Sequence, residues 1–183
     1  MKIVLVLLLF VSVIVQSNIL WWSDGHELVG EIAQKYLMRA AETKVNKIFE
    51  GKSLGSQANW ADKVSKEPKW QFSKTYHFAD FTDESSCRFD ERRDCPGPRF
   101  CVVPAISNYT KQLMNPNPEI SKAALRFIVH FLGDIHQPLH VGRKKDFGGN
   151  RITVSFFGKT TSKFTKMLVI NFFKIYIKFG MVK

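Results

Sequence analysis

Two stretches of the chain carry apolar residues at helical spacing. Val29, Ile32, Ala33, Tyr36 and Leu37 form one stripe, directly after Asp24-Gly25-His26. Ala124, Phe127, Ile128, Phe131 and Leu132 form the other. Residues three and four apart share one face of an α-helix, so each set predicts an amphipathic helix with that face turned to a core. For the second helix, Ser121 is the expected cap and Pro138 the expected stop, since proline cannot continue a helix. Residues 82–104 concentrate Pro, Gly, Cys and charge and read as an ordered loop. Ile152-Thr-Val-Ser-Phe-Phe157 is rich in β-branched and aromatic residues and predicts a short strand. The sequence shows no internal repeat and no low-complexity segment, and the pattern predicts a mainly α protein.

The ends of the chain differ from this middle. Met1-Lys2 is followed by the apolar run Ile3-Val-Leu-Val-Leu-Leu-Leu-Phe-Val-Ser-Val-Ile-Val15 and by Gln16-Ser17. A short basic start, an apolar run and a small residue describe a secretory signal peptide, here residues 1–20. The run is shorter than the roughly 20 apolar residues of a membrane span. The expected location is therefore outside the cell or in the endomembrane lumen, where disulfides persist. In that setting Asn108-Tyr-Thr110 is an N-glycosylation sequon. Cys95 and Cys101 bracket Pro96-Gly-Pro-Arg-Phe100 and can close a small loop, which leaves Cys87 over.

Composition adds two exclusions. With 45% hydrophobic and 23% charged residues and three cysteines in 183 residues, the chain is neither a disordered polymer nor a disulfide-dense miniprotein. The formal net charge is +11, but residues 158–183 hold six lysines and no acid. The remainder is only mildly basic, so charge alone does not argue for a polyanionic partner. Residues 158–183 form a divergent basic-hydrophobic tail. One reading is a membrane-surface segment; the other is sequence that does not belong to the domain.

The chemistry concentrates in His130-Phe-Leu-Gly-Asp134-Ile-His136-Gln-Pro-Leu-His140. His130 and Asp134 are four apart, one turn above each other on the predicted helix. An imidazole and a carboxylate so placed can grip one divalent cation. His140 follows just past Pro138, where a turn can bring it back. Further His and Asp residues come earlier: His26, Asp62 in Asn59-Trp-Ala-Asp62, and His77 with Asp80 in His77-Phe-Ala-Asp80. In apolar settings unpaired polar groups are costly, which favours a shared metal. His26-Glu27 lacks the second His of a metalloprotease helix. A phosphate-binding Gly-rich loop and a Gly-x-Ser-x-Gly elbow are both absent from the sequence.

Five segments occur in order: Trp21-Trp22-Ser-Asp-Gly-His26, Asn59-Trp-Ala-Asp62, His77-Phe-Ala-Asp80, His130 to His140, and Asp146-Phe-Gly-Gly-Asn150. Over residues 21–157 the chain resembles the zinc-dependent single-strand nucleases of fungi and plants, the nuclease S1/P1 family. The resemblance implies an all-α, helical bundle-like fold, here incomplete on its C-terminal side, with three zinc ions. Asp62, His77, His130 and Asp134 would hold the first zinc, and Asp134 would bridge to a second. His26 and the amine and carbonyl of Trp21 would complete that second site, with Trp21 as mature N-terminus. His140 would bind the third. Asp62 and Asp134 would then be the catalytic carboxylates, Phe78 would stack on a nucleobase and Asp80 would bind its edge. His136 matches no ligand.

The implied activity is hydrolysis of single-stranded DNA and RNA to 5′-phosphorylated products, with 3′-nucleotidase activity beside it, by a monomer without a stable protein partner. The pattern departs from the family in three places. After Phe157 the chain has no His and no Asp, so the third zinc site is reduced to His140. Ser65 stands where the family has an Arg. The family's cysteine partner for Cys87 lies beyond the region of resemblance. Two other readings compete: a zinc phospholipase C-like hydrolase, and an inactive fragment that binds nucleic acid or membrane through its basic tail.

Overall fold

The computed structural model describes residues 21–82, 85, 88–95, 97, 101–156 and 159–161. Residues 1–20, read above as a signal peptide, Cys87 and residues 162–183 of the tail lie outside the described residues. A wide helical turn, Trp21–Gly25, leads directly into α1 (His26–Lys35). Helices α2 (Arg39–Phe49), α3 (Leu54–Ala58) and α4 (Trp60–Val64) follow. Ser53 caps α3 by accepting the Ser56 N–H. A 3₁₀ helix, Pro68–His77, opens on proline, whose missing N–H has no partner to lose in a first turn. Next come α5 (Glu91–Asp94), α6 (Val102–Gln112) and the long α7 (Pro118–Ile135). Short 3₁₀ turns, Pro138–Val141 and Lys144–Asp146, precede a hairpin of β1 (Val154–Phe156) and β2 (Lys159–Thr161). The fold is helical, as the pattern predicts, and among the described residues this hairpin is the only sheet.

Helix α7 is the axis, in contact with α1 to α4, α6 and the 3₁₀ helix. One side buries Ala124, Phe127 and Phe131 against Val102, Ala105 and Tyr109 of α6 and against Ala61 and Ala79. The other buries Leu125 and Val129 against Val45, Phe49, Leu54 and Ala58. Phe127 stacks on Tyr109 at 4.5 Å and meets the Trp60 edge at 5.2 Å, preferred aromatic geometries. A helix clamped between two apolar clusters presents its C-terminal turns at a fixed height and rotation.

The first stripe does not behave as the pattern predicts. Helix α1 stops at Lys35, Ala33 is exposed, and Tyr36 is 83% exposed. The face that α1 buries carries His26 and Gly30 instead. Gly30 lies so close to α3 that an added Cβ would sit 2.7 Å from Gly55 Cα. Two facing glycines allow the backbones to touch, and this small-residue contact outranks the bulky stripe. Ser121 is not the cap of α7 either. That helix begins earlier, where Asn117 accepts the Glu119 N–H and Pro118 occupies the first turn, a stronger start signal. Ser121 is buried and donates its hydroxyl to the Pro118 carbonyl at 3.0 Å.

The stretch 82–104 is ordered but not all loop, since it contains α5 and the start of α6. Cys95 and Cys101 form a disulfide between these helices. Asp94, 2% exposed, accepts the N–H and hydroxyl of Thr82, the Asp90 N–H and two bonds from Arg93. The Arg93 guanidinium and these donors hold its carboxyl far below the usual carboxylate range despite burial.

Two outcomes follow. Gly30→Ala forces α1 and α3 apart and should lower stability by about 1–3 kcal/mol, read as a drop in the urea midpoint by circular dichroism. A depressed carboxyl pKa contributes stability that is complete above the unfolded value and is lost as pH falls through the acid range. Asp94→Asn should therefore be less stable than the parent near neutrality, with the gap closing below about pH 4.

Candidate metal centre

The last turns of α7 carry His130 and Asp134, both fully buried. The Nδ1–H of His130 donates to the Ala58 carbonyl at the end of α3, at 2.7 Å. This bond fixes the ring's orientation and turns Nε2 inward. That nitrogen lies 3.3 Å from Asp134 Oδ2 and 3.4 Å from Asp62 Oδ1. His77, the last residue of the 3₁₀ helix, brings Nδ1 to 3.1 Å from Asp134 Oδ2 and 3.6 Å from Asp62 Oδ1. The two imidazole nitrogens are 2.9 Å apart. His26, opening α1, stacks on His130 at 3.8 Å and sets Nε2 at 3.4 Å from Asp134 Oδ1. His140 reaches back from its 3₁₀ turn to 3.0 Å from the same oxygen, and contacts the His77 carbonyl at 2.9 Å.

Asp134 is thus ringed by four imidazoles. Burial alone would push its carboxyl up, but His130, His140, His26 and His77 outweigh burial and hold it well below the usual range. Burial pushes His130 down, yet Asp134 and Asp62 reverse this and raise it to about 10. His140 is raised by Asp134 against its burial, whereas burial prevails at His26 and lowers it. Asp62 resists burial through His130 and His77 and is lowered.

The donor set fits a divalent cation. Two triplets, His26/His130/Asp134 and Asp62/His77/His130, each offer ligand atoms within 4.8 Å of one another. Nitrogen and carboxylate donors in a dry setting suit zinc. Asp134 Oδ1, which faces this cluster, is buried without a completed hydrogen bond, and such an atom is expensive to leave unmet. Burial also shows the approach: the Asp62 side chain is 34% exposed and that of His140 22%, against 1% for Asp134.

Comparison with known proteins decides the lineage. The family model described as S1/P1 nuclease matches residues 21–166. The chain belongs to the S1/P1 nuclease family. It is 36% identical to Endonuclease 3 of Arabidopsis thaliana over 86% of this chain and 56% of that protein. It is 41% identical to Nuclease S1 of Aspergillus oryzae over 78% of this chain and 51% of that protein. With Nuclease P1 of Penicillium citrinum the identity is 37% over 75% and 53% of the two chains. This S1/P1 nuclease chain spans about half the length of these relatives.

The other residues expected from the sequence fall around the centre. An extended segment after His77 is clipped to the His140 turn by Ala79 N–H to His140 O at 2.8 Å and Phe81 N–H to Gly142 O at 2.7 Å. It carries Phe78, 39% exposed and so not a core residue, and Asp80, whose carboxyl burial raises. Ser65 turns its hydroxyl back on the Asp62 carbonyl at 2.9 Å. His136 is exposed and bonds the Leu132 carbonyl, outside the cluster. Trp21 begins the turn before α1, and Asn59 Nδ2 holds that turn by the Ser23 carbonyl at 3.1 Å.

Sequence reading missed two contributors in this S1/P1 nuclease chain. The Ala58 carbonyl orients His130, and no side-chain pattern marks a carbonyl. Gly133 makes room for His26: a Cβ there would strike His26 Nδ1. A glycine inside an amphipathic helix was the available signal. Ala at 133 gains about 1 kcal/mol of helix propensity over Gly. Gly133→Ala should nevertheless destabilise the chain, and the sign should reverse in a His26→Ala background, measured as a double-mutant cycle.

Proposed function

We propose that the chain is a secreted zinc-dependent endonuclease that hydrolyses single-stranded DNA and RNA to 5′-phosphorylated products and acts on 3′-nucleotides at the same centre. The observation that carries this is the convergence of His26, Asp62, His77, His130, Asp134 and His140, from five separate elements, on one buried point. Relatives named as nucleases and endonucleases support the reaction class.

Asp62, His77, His130 and Asp134 would hold one zinc ion. Asp134, His26 and the Trp21 amine and carbonyl would hold a second, and His140 is the residue left for a third. Bound zinc supplies Lewis acidity toward the anionic phosphodiester and acidifies water. The chain's own residues do the rest. Asp134, sealed from solvent, balances the cationic charge and keeps the imidazoles aimed inward. Asp62, on the open side, faces the incoming phosphate. Phe78 offers a stacking face to one unpaired base, and Asp80 offers its edge a polar partner. A base held in a duplex cannot turn onto Phe78, which gives the preference for single strands. Ser65 gives no cation at its position, so charge stabilisation there falls to the metal centre.

Elemental analysis of the purified chain should find more than one zinc per chain. Chelation should abolish cleavage of single-stranded DNA and added zinc should restore it. Asp134→Asn should lose both zinc and cleavage, while His136→Ala keeps both. A metal-free chain that still cleaves would overturn the proposal. Phe78→Ala should weaken single-strand binding by about 1–3 kcal/mol with an unchanged unfolding midpoint; the reverse result would make Phe78 a packing residue.

A further inference from the structure

Away from the metal centre, a groove of about 560 Å³ opens between the 3₁₀ helix, α6 and the N-terminal half of α7. One wall is aromatic, built from Trp60, Trp70, Phe72 and Tyr76. Trp60 meets Trp70 edge-on at 5.2 Å, and Phe72 meets Tyr76 at 5.9 Å. Phe72 is 49% exposed. Asn108, on α6, also lines the groove. Its neighbour Tyr109 is buried and stacked on Phe127, which anchors this turn of α6 while Asn108 opens into the groove. Asn108 is also the acceptor of the Asn108-Tyr-Thr110 sequon.

We propose that an N-linked oligosaccharide at Asn108 lies back in this groove, with its first sugars seated on Phe72 and the adjoining rings. The inference rests on the reading that residues 1–20 send the chain into the secretory route. Attachment forms a bond from Asn108 Nδ2 to the anomeric carbon of the sugar. Nδ2 loses one proton, and the lipid diphosphate donor leaves from that carbon. The attached sugar is tethered at the lip of the groove, so its local concentration is high without any further binding partner.

The chemistry of the groove favours sugar over a nucleic-acid strand. Pyranose rings present C–H groups to aromatic surfaces and hydroxyls to amides and carboxylates, here Gln112 and Glu119. Lys69 lies over Trp70 at 4.9 Å and Arg126 over Trp60 at 5.1 Å, contacts that hold both cations against rings of the groove without cancelling their charge. Lys122 is paired with Glu50 at 2.6 Å. Glu119 adds a negative charge to the same groove.

The test uses the full chain made in cultured insect cells, with the tryptic peptide around Asn108 weighed by mass spectrometry. A glycan should be present. Enzymatic release of it from the native chain should be about tenfold slower than from the urea-unfolded chain. Phe72→Ala, at an exposed position, should remove that protection, and Asn108→Gln should raise acrylamide quenching of tryptophan fluorescence. Equal release rates from native and unfolded chain would overturn the seat. A secreted chain with bare Asn108 would overturn the inference and leave the secretory reading standing; a chain retained in the cytosol would sink both. Protection of the tryptophans in Asn108→Gln by oligothymidylate, at ordinary salt, would assign the groove to nucleic acid and overturn the sugar.

Discussion

One buried carboxylate organises this molecule. Asp134 sits in a dry interior, where an isolated charge is unaffordable, and four imidazoles from separate parts of the chain compensate it. Each of those histidines is in turn held by backbone or packing: His130 by the Ala58 carbonyl, His140 by the His77 carbonyl, His77 by the Phe131 ring at 5.2 Å, and His26 by the His130 ring at 3.8 Å. The helices are arranged so that this polar knot closes at the end of α7, just beyond its two apolar clusters. The same contacts that seat α1 against α7 place His26 beside Asp134.

The division between what the sequence showed and what it hid follows from range. Local signals read well. The stripe of α7, the His130–Asp134 spacing and the small Cys95–Cys101 loop depend on residues close together in the chain, and the structure shows all three except at the end of the stripe, where Leu132 is exposed. The ordered motifs also pointed to the family that the comparison shows. What failed was reading a core face from bulk alone. Tyr36 lies exposed just past the end of α1, whose buried face carries Gly30 instead, because whether a glycine meets another glycine is decided by an element 25 residues away. Asn117 displaced Ser121 as the cap because proline follows it, a pairing the stripe did not weigh. The orientation of His130 was hidden for a deeper reason: the Ala58 carbonyl is a backbone group that any residue would supply.

Burial also divides the centre into two layers with different duties. The inner layer, His26, His130 and Asp134, is closed to solvent. The outer layer, Asp62 and His140, is partly open, and the segment bearing Phe78 and Asp80 runs alongside His140. An inner layer without water sharpens electrostatic contrast, and an outer layer with access admits a ligand. The pairing of residues 79–81 with 140–144 ties two distant stretches of chain, and with them His140 of the outer layer, through backbone groups.

That backbone pairing has a consequence for substitution. Along an extended segment alternate side chains face opposite ways, so Ala79 points into the core while Phe78 is exposed and Asp80 half-buried on the other side. The register that holds the segment is written in amides and carbonyls, which substitution at 78 or 80 leaves intact. Substitutions at these two positions can thus change the outward face one residue at a time, on a scaffold whose inward face is left as it was.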